Sequence, residues 1–227
     1  MANFPILQEI KGEWRSPKTM EIMGLRIPAY FTDDPRLLYD YIVNFKTKSD
    51  DVFVVSYPKA GTTWIQEIVW QIYHNGEVNS KRIEDRVPFL EEATNSKASQ
   101  PDIASLPSPR LIKTHLSYEA IPKGTNEETT CKYIYIARNP KDTAVSSYKF
   151  VTNLAKSTGL NASWEFYADL FVQGKSTWSH WDKHVLGWWN HKDDANVLFL
   201  KYEDLKKFHI RIKHERRIDR ILKAIFV

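Results

Sequence analysis

Short apolar runs alternate with helix-like patterns through the middle of the chain. The run Val52–Ser56 is rich in β-branched and aromatic residues, which is typical of a buried strand. A polar turn at 57–61 follows it, and then come apolar residues at helical spacing, with Gly76 as a stop signal. The apolar positions of this predicted helix are Trp64, Ile65, Ile68, Val69, Ile72 and Tyr73.

The same strand pattern recurs at 110–115, 131–137 and 196–201. A helix is predicted from Pro140, because proline is favoured in the first helical turn. Its apolar residues are Ala144, Val145, Tyr148 and Phe150. Strands separated by helices predict one α/β domain over 1–227, with a central parallel sheet flanked by helices. Ligands of such sheets bind beyond the carboxyl ends of the strands.

Two further segments are predicted to have structural roles. The segment 95–109 contains three prolines, and we interpret it as a surface lid or a crossover, not as a domain boundary. Five apolar residues near 180 follow helical spacing, which favours a core stripe over a platform for sugars or nucleic acid. The stripe consists of Trp178, Trp181, Val185, Trp188 and Trp189.

Composition narrows the functional classes. Of the 227 residues, 42% are hydrophobic and 26% are charged, which is close to an average soluble protein. The net charge of +4 favours an anionic ligand, but the charge is too weak and too dispersed to predict nucleic-acid binding. The single cysteine, Cys131, fits a reducing compartment. No apolar run has the length of a membrane span, and none resembles a signal peptide, so no membrane association and a cytoplasmic location are expected. Asn161 begins a sequence that matches an N-glycosylation acceptor, but without a secretory route we interpret this match as chance.

The turn between the first predicted strand and its helix has the construction of an anion cradle. A helix N-terminus presents free N–H groups, Gly61 permits close backbone approach, Thr62 and Thr63 add hydroxyls, and Lys59 adds a charge. This is not the Walker arrangement, because the lysine precedes the glycine and no acidic Mg²⁺ ligand accompanies it. No metal is therefore expected. On residue types alone, an ordinary strand–helix turn with a surface lysine remains an alternative.

The sequence YPKAGTTW at 57–64 resembles the donor-binding loop of the cytosolic sulfotransferases. Four more blocks resemble that family in its order and spacing: RVPFLE, PRLIKTHL, YIARNPKDTAVSSY and KYEDL. The likeness runs from about residue 24 to 205. It implies a P-loop-like strand–loop–helix that binds the phosphosulfate end of 3′-phosphoadenosine 5′-phosphosulfate (PAPS), with the bisphosphate PAP as product.

The resemblance assigns the donor contacts residue by residue. Lys59 would contact the bridging oxygen, while Thr62 and Thr63, with the neighbouring amides of the cradle, would bind the 5′-phosphate. Arg138 and Ser146 would hold the 3′-phosphate, for which the planar guanidinium is well shaped. The remaining donor-binding residues implied by the family are Ala60, Gly61, Trp64 and Tyr202.

The resemblance also implies the chemistry. His115 would be the catalytic base, since a neutral imidazole can accept a proton from a hydroxyl at neutral pH, and Lys113, two residues earlier, would stabilise the sulfuryl group. A structural histidine is the alternative. Phe31, Phe89 and Phe150 would be walls of a pocket for a small hydroxyl or amine acceptor such as a phenol or steroid, with plain core packing as their alternative.

Two departures from the family limit these expectations. Ser117 stands where a proline is usual. After Leu205 the tail 206–227 diverges, and relative to the family the C-terminal part of the domain is expected to be missing, including the Arg-Lys-Gly loop for the 3′-phosphate and the dimer segment; a homodimer remains possible. Ile218, Ile221, Leu222 and Ile225 predict an amphipathic helix in this tail. A non-catalytic remnant that binds PAP or PAPS is the alternative function, and a P-loop kinase is disfavoured.

Overall fold

The computed structural model describes residues 4–126 and 130–207. The amphipathic helix expected around Ile221 lies outside the described residues. Within the described part, no helix has the length and apolar character needed to cross a membrane.

A four-stranded parallel sheet forms the centre of the molecule. In spatial order its strands are β7 (Leu111–Thr114), β6 (Val52–Ser56), β8 (Lys132–Ala137) and β9 (Val197–Lys201). All three pairings are parallel. The structure thus confirms the predicted sheet, with each strand within one residue of its predicted start and end.

Side chains of the central strand β6 alternate between two hydrophobic clusters. Phe53 and Val55 belong to the larger cluster, and Val52 and Val54 belong to the smaller one. Because successive side chains of a strand point to opposite faces, this division means that both faces of the sheet are covered. The continuous apolar run of β6 follows from that double burial.

Seven α-helices and a further helical stretch at 202–207 accompany the sheet in the described residues. Helix α2 begins at the carboxyl end of β6, as predicted, and α4 begins at Pro140 with Asn139 as its N-cap. The helices are α1 (Pro35–Val43), α2 (Thr62–Tyr73), α3 (Ile83–Arg86), α4 (Pro140–Asn153), α5 (Ala155–Thr158), α6 (Trp164–Val172) and α7 (Trp181–Trp189). Short 3₁₀ turns occupy Ala29–Phe31, Leu90–Glu92 and Ile103–Ser105, and residues 202–207 are helical.

The N-terminal region contributes small antiparallel sheets that the apolar pattern did not predict. Strand β4 (Thr19–Ile22) lies between β1 (Ile6–Leu7) and β5 (Leu25–Pro28). A separate pair joins β2 (Ile10–Lys11) to β3 (Trp14–Arg15). These strands have two to four residues, too few to show a period of two in the sequence.

The predicted tryptophan stripe is wrong in two respects. Trp178 is buried but precedes α7, and its φ of +68° is incompatible with a right-handed helix. Trp189 is on the helix but 38% exposed. Trp188 is fully buried, and Trp181 and Val185 pack against the core, as expected. A turn with positive φ breaks the helical spacing that the tryptophans appeared to continue.

The segment 95–109 is a crossover, and the lid interpretation is wrong. It connects the region after α2 to β7, and Ile103 anchors it in the core. The side chain of Gln100 hydrogen-bonds both the N–H and the carbonyl oxygen of Phe89, which fixes the segment to the loop beside β7. None of its residues lines the cavity described below.

A buried ion pair joins the amino ends of the sheet strands. Arg110 donates from Nε and Nη2 to the two carboxylate oxygens of Asp51 at 2.7 and 2.6 Å. The side chains of Asp51 and Arg110 are 0% and 5% exposed. The backbone of Asp51 accepts from Lys132 at the start of β8, so one residue organises three strands.

We expect Asp51→Asn to lower the free energy of unfolding by roughly 3 kcal/mol or more, because it leaves a buried guanidinium without its carboxylate. Urea unfolding followed by circular dichroism measures the change. Asp40→Asn is the matched control, since it breaks the exposed pair between Arg36 and Asp40 on α1 and should cost far less. Equal losses in the two variants would contradict this role for Asp51.

Candidate active site

A cavity of about 670 Å³ opens at the carboxyl ends of the central strands. The turn after β6, the end of β7 and the residue after β8 all contribute to its lining, through Lys59, His115 and Arg138. This is the location expected for a ligand of a parallel sheet. Of these three residues, Lys59 and Arg138 are 79 positions apart in the chain.

The turn between β6 and α2 has an unusual backbone. Lys59 has φ +67° and Gly61 has φ +108°, and Gly61 is the N-cap of α2. A Cβ at Gly61 would lie 2.6 Å from the ring of Tyr202, so the position requires glycine for space as well as for φ. Lys59 tolerates a conformation that disfavours side chains, and such residues cluster at functional sites. The turn directs the N-terminus of α2 into the cavity.

Lys59 and Arg138 make the cradle strongly cationic. Arg138 donates from Nη1 to the carbonyl oxygen of Lys59 at 3.1 Å, and its guanidinium lies 4.6 Å from the centre of the Tyr202 ring. Its Nε is buried and has no hydrogen-bond partner among the described residues. Burial, and then the charge of Arg138, lower the pKa of Lys59. The Lys59 ammonium lies 4.1 Å from the centre of the Phe150 ring.

His115 is the residue that follows β7, opposite the end of β6. Its Nδ1 donates to the carbonyl oxygen of Ser56 at 2.7 Å, which assigns the proton to Nδ1 and leaves the lone pair on Nε2. Burial first, and then the charge of Lys113, lower the pKa of His115 well below its ordinary value. Its imidazole is therefore neutral at physiological pH and able to accept a proton.

The hydroxyl of Ser56 connects His115 with the cradle. Its Oγ lies 2.5 Å from Oγ1 of Thr62, the first residue of α2, and 3.4 Å from Nδ1 of His115. Thr62 and His115 are both buried, and both line the cavity. The imidazole of His115 and the N-terminus of α2 are thus held in one hydrogen-bonded network.

Glu91 supports the backbone of His115. This role was not predicted from the sequence. Its Oε1 accepts from the backbone N–H of His115 at 2.7 Å and from the Thr114 hydroxyl at 3.0 Å. Its Oε2 has no partner among the residues that the structure describes. Complete burial raises the pKa of Glu91 to about 8. At neutral pH the side chain is therefore a protonated acid that positions the end of β7.

Aromatic rings surround the other end of the cavity. The Phe89 and Trp178 rings lie 5.0 and 5.2 Å from the imidazole of His115, and Phe31 contacts both rings. The backbone N–H of Trp178 donates to the carbonyl oxygen of Arg26, which holds this residue in place. The helical spacing of the tryptophans predicted only a core position for Trp178. Its position beside His115 depends on a turn with positive φ, which the neighbouring residues in the sequence do not predict.

The structure brings together all but one of the predicted site residues. Ala60 is the exception, since it is fully buried and is not part of the cavity lining. The predicted residues that line the cavity are Phe31, Lys59, Gly61, Thr62, Thr63, Trp64, Phe89, Lys113, His115, Arg138, Ser146, Phe150 and Tyr202.

The model of the sulfotransferase domain family matches residues 49–211. The chain is also 43% identical to human sulfotransferase 1C2 over 206 residues, which are 88% of this chain and 66% of that protein. This chain belongs to the sulfotransferase domain family. It spans less than two thirds of the length of human and rat sulfotransferase 1C2 and of dog sulfotransferase 1B1.

Solved structures agree with this membership. The sulfotransferase domain resembles mouse sulfotransferase SULT7A1 complexed with PAP, with a TM-score of 0.65 and 30% identity, over 85% of this chain and 64% of that one. It also resembles a retinol dehydratase in complex with androsterone and PAP, with a TM-score of 0.67 and 26% identity, over 90% and 65% of the two chains.

Glu91→Gln in this sulfotransferase domain should change the pH dependence of stability. The folded carboxyl holds a proton between its unfolded pKa near 4.5 and about 8. Wild-type stability, measured relative to the variant, should therefore fall as pH rises through this window, by up to about 1.4 kcal/mol per pH unit. Glutamine keeps an acceptor for the His115 N–H and has no proton to lose.

Urea unfolding at several pH values between 4.5 and 9 provides the measurement. Glu91→Ala is the companion variant, which removes the acceptor and should cost roughly 1–3 kcal/mol at every pH. A constant difference between wild type and Glu91→Gln across the range would show that Glu91 is ionised throughout, contrary to our expectation.

Proposed function

We propose that this chain transfers a sulfuryl group from PAPS to the hydroxyl of a small acceptor, with His115 as general base. The observation that supports this most directly is the shared cavity, in which a neutral imidazole with a free Nε2 and the cradle at the start of α2 line one space. The curated relatives are sulfotransferases, and two solved neighbours, a mouse sulfotransferase and a retinol dehydratase, are complexes with PAP. We further propose a cytoplasmic location, from the family resemblance.

The residues present fit a nucleotide with a phosphate at each end. The N-terminus of α2 offers N–H groups to an anion, and the lack of a Cβ at Gly61 lets the Tyr202 ring pack against this turn. Arg138 has a buried Nε without a partner among the described residues, which is the unmet hydrogen-bonding capacity that a phosphate oxygen satisfies. Ser146 lines the same part of the cavity.

The rings of Trp64 and Tyr202 form the corner where a base would stack. Their centroids are 5.5 Å apart in an edge-to-face arrangement, and both rings line the cavity. Tyr202 is held between Arg138 and Gly61, since the guanidinium lies over its ring and the glycine lacks a Cβ there. We assign the adenine to this corner.

When bound, PAPS supplies a sulfuryl group on a bridging phosphate oxygen. His115 takes the proton of the acceptor hydroxyl on Nε2 while the new oxygen–sulfur bond forms and the bond from sulfur to the bridging oxygen breaks. Lys59 stabilises the negative charge that collects on the departing oxygen, and Lys113 stabilises the sulfuryl oxygens. The proton ends on His115 and the electron pair on PAP.

The position of His115 and its tautomer come from its neighbours. Ser56 accepts from Nδ1, and Glu91 accepts from the backbone N–H, so the imidazole ring is held at both its side chain and its main chain. The orientation of Nε2 is therefore fixed before the acceptor binds, so the reaction does not include the entropic cost of orienting the base.

His115→Gln should lower kcat by about 10²–10⁴-fold, because it removes the proton acceptor. Transfer from labelled PAPS to a panel of phenols and steroids measures the rate, and calorimetry with PAP measures the donor site. PAP affinity should survive the substitution, since the cradle residues remain. His191→Gln, an exposed histidine outside the cavity, is the control.

A wild-type chain that binds PAP but transfers nothing would favour the alternative of a non-catalytic PAP-binding protein. Failure to bind PAP at all would reject both functions. An unchanged kcat in His115→Gln would reject the general-base role alone.

The pH profile of kcat/KM should have its acid limb below pH 6.5. Activity requires neutral His115, whose pKa is lowered by burial and by Lys113, so activity is lost only as pH falls through that depressed value. The profile should stay level from pH 6.5 to 7.5. An acid limb centred above pH 6.5 would contradict a buried, neutral base.

A further inference from the structure

Two consecutive residues beside the acceptor end of the cavity have a strained backbone. Trp178 has φ +68° and Ser179 has φ +60°, in the left-handed region that disfavours residues with a Cβ. Neither residue is a glycine, so other contacts have to hold this turn. The indole of Trp178 is buried, and its centre lies 5.2 Å from the centre of the His115 imidazole. The turn at 177–179 therefore determines where one wall of the acceptor end lies.

The side chain of Tyr57 contacts this turn from the central sheet, where Tyr57 directly follows β6. Its hydroxyl lies 3.1 Å from the carbonyl oxygen of Thr177 and 3.1 Å from that of Ser179. The single proton is thus shared between two carbonyls, one at each end of the left-handed stretch. Tyr57 is fully buried, and this burial raises its pKa well above the ordinary value, so the hydroxyl remains a donor.

Strand β5 holds the same turn from the other side. The N–H of Trp178 donates to the carbonyl oxygen of Arg26 at 2.7 Å, and the N–H of Arg26 donates to Oγ of Ser179 at 2.9 Å. These bonds connect the turn to the N-terminal sheet, whereas the Tyr57 hydroxyl connects it to the strand that carries the cradle. The position of the Trp178 ring relative to the cradle therefore depends on Tyr57.

Tyr57 also contributes to the cradle and to the support of His115. Its carbonyl oxygen accepts from the N–H of Ala60 at 3.2 Å, which closes the turn before α2. Its ring packs edge to face against His184, with centroids 5.6 Å apart, and Nε2 of His184 donates to the carbonyl oxygen of His115 at 3.0 Å. The main chain of Tyr57 thus shapes the donor end, while its hydroxyl contacts the acceptor end.

We infer that Tyr57 is a positioning residue for the acceptor, because its hydroxyl holds the turn at 177–179 and so keeps the Trp178 ring beside His115. That ring lies 5.8 Å from Phe31 and 6.2 Å from Phe89, so a displaced indole disturbs the whole aromatic wall. A buried tyrosine that contributes only stability is the alternative. The inference rests on the proposed sulfuryl transfer and identifies a residue that sets the affinity for the acceptor.

Tyr57→Phe is the direct test, because phenylalanine keeps the ring against His184 and removes only the hydroxyl. In the full 227-residue chain with PAPS and 4-ethylphenol, the KM for the phenol should rise about five- to tenfold, the typical effect of one lost hydrogen bond. Both kcat and the calorimetric affinity for PAP should stay within about twofold, since the contacts of His115 with Ser56 and Glu91 remain.

Labelling with 5-fluorotryptophan provides a readout that does not require transfer. The fluorine resonance of Trp178, assigned with a Trp178→Phe variant, should shift or broaden in Tyr57→Phe, because the turn is no longer held from the central sheet. The resonance of Trp188 should not move, since this fully buried ring packs against Tyr135 in the core. A role confined to stability would leave both resonances of the folded protein unchanged.

Two further variants make the result specific. Tyr133→Phe is the matched control, because it removes another buried hydroxyl, which donates to the carbonyl oxygen of Pro122 at 2.7 Å, at a residue that does not line the cavity. It should leave the phenol KM and the Trp178 resonance unchanged. Ser179→Ala removes the acceptor of the Arg26 N–H and should also raise the phenol KM. This half-buried position tests the turn independently if Tyr57→Phe does not fold.

Two outcomes would overturn the inference while the proposed function stands. One is an unchanged phenol KM together with an unmoved Trp178 resonance in Tyr57→Phe. The other is an equal loss in kcat and in PAP affinity with no change in the phenol KM, which would assign Tyr57 to the donor end alone. If the wild-type chain transfers to no phenol or steroid, the proposed function fails instead, and the Trp178 resonance then decides the role of Tyr57 by itself.

Discussion

The hydrogen bond from Nδ1 of His115 to the carbonyl oxygen of Ser56 joins the ends of two neighbouring parallel strands. Strands β6 and β7 are paired in register up to Val55 and Thr114, so the next residue of each strand meets the other at the edge of the sheet. The same contact fixes the imidazole tautomer and places it beside the start of α2. The relative position of the imidazole and the cradle therefore depends on the register of one strand pair, and a slip of one residue would separate them.

Burial around this contact has opposite effects on neighbouring groups, and both effects suit the chemistry. It lowers the pKa of His115, which keeps the imidazole neutral, and it raises the pKa of Glu91, which keeps this carboxyl protonated. Two ionised groups at this depth would be costly to fold. These two supporting groups are thus held in uncharged form, while the cations Lys59, Lys113 and Arg138 line the cavity.

The sequence predicted the sheet, the cradle and nearly all of the cavity lining, because those features depend on local pattern and on motifs. Val52–Ser56 could be assigned from composition, and the turn at Gly61 from its neighbours in the chain. Glu91 and Trp178 could not be found in this way. Glu91 acts through the backbone of a residue 24 positions later. The position of Trp178 depends on a φ of +68°, which a tryptophan in the sequence does not predict. Contacts of this kind exist only once the chain has folded.

The walls of the acceptor end come from separate stretches of chain: Phe31 from a turn before α1, Phe89 from the loop beside β7, Phe150 from α4 and Trp178 from the turn before α7. The donor end, in contrast, is built on adjacent strand termini whose spacing the sheet dictates. A substitution in one of these segments can therefore reshape a single wall while the strand termini at the other end of the cavity keep their positions. The two ends of the cavity can thus change independently of each other.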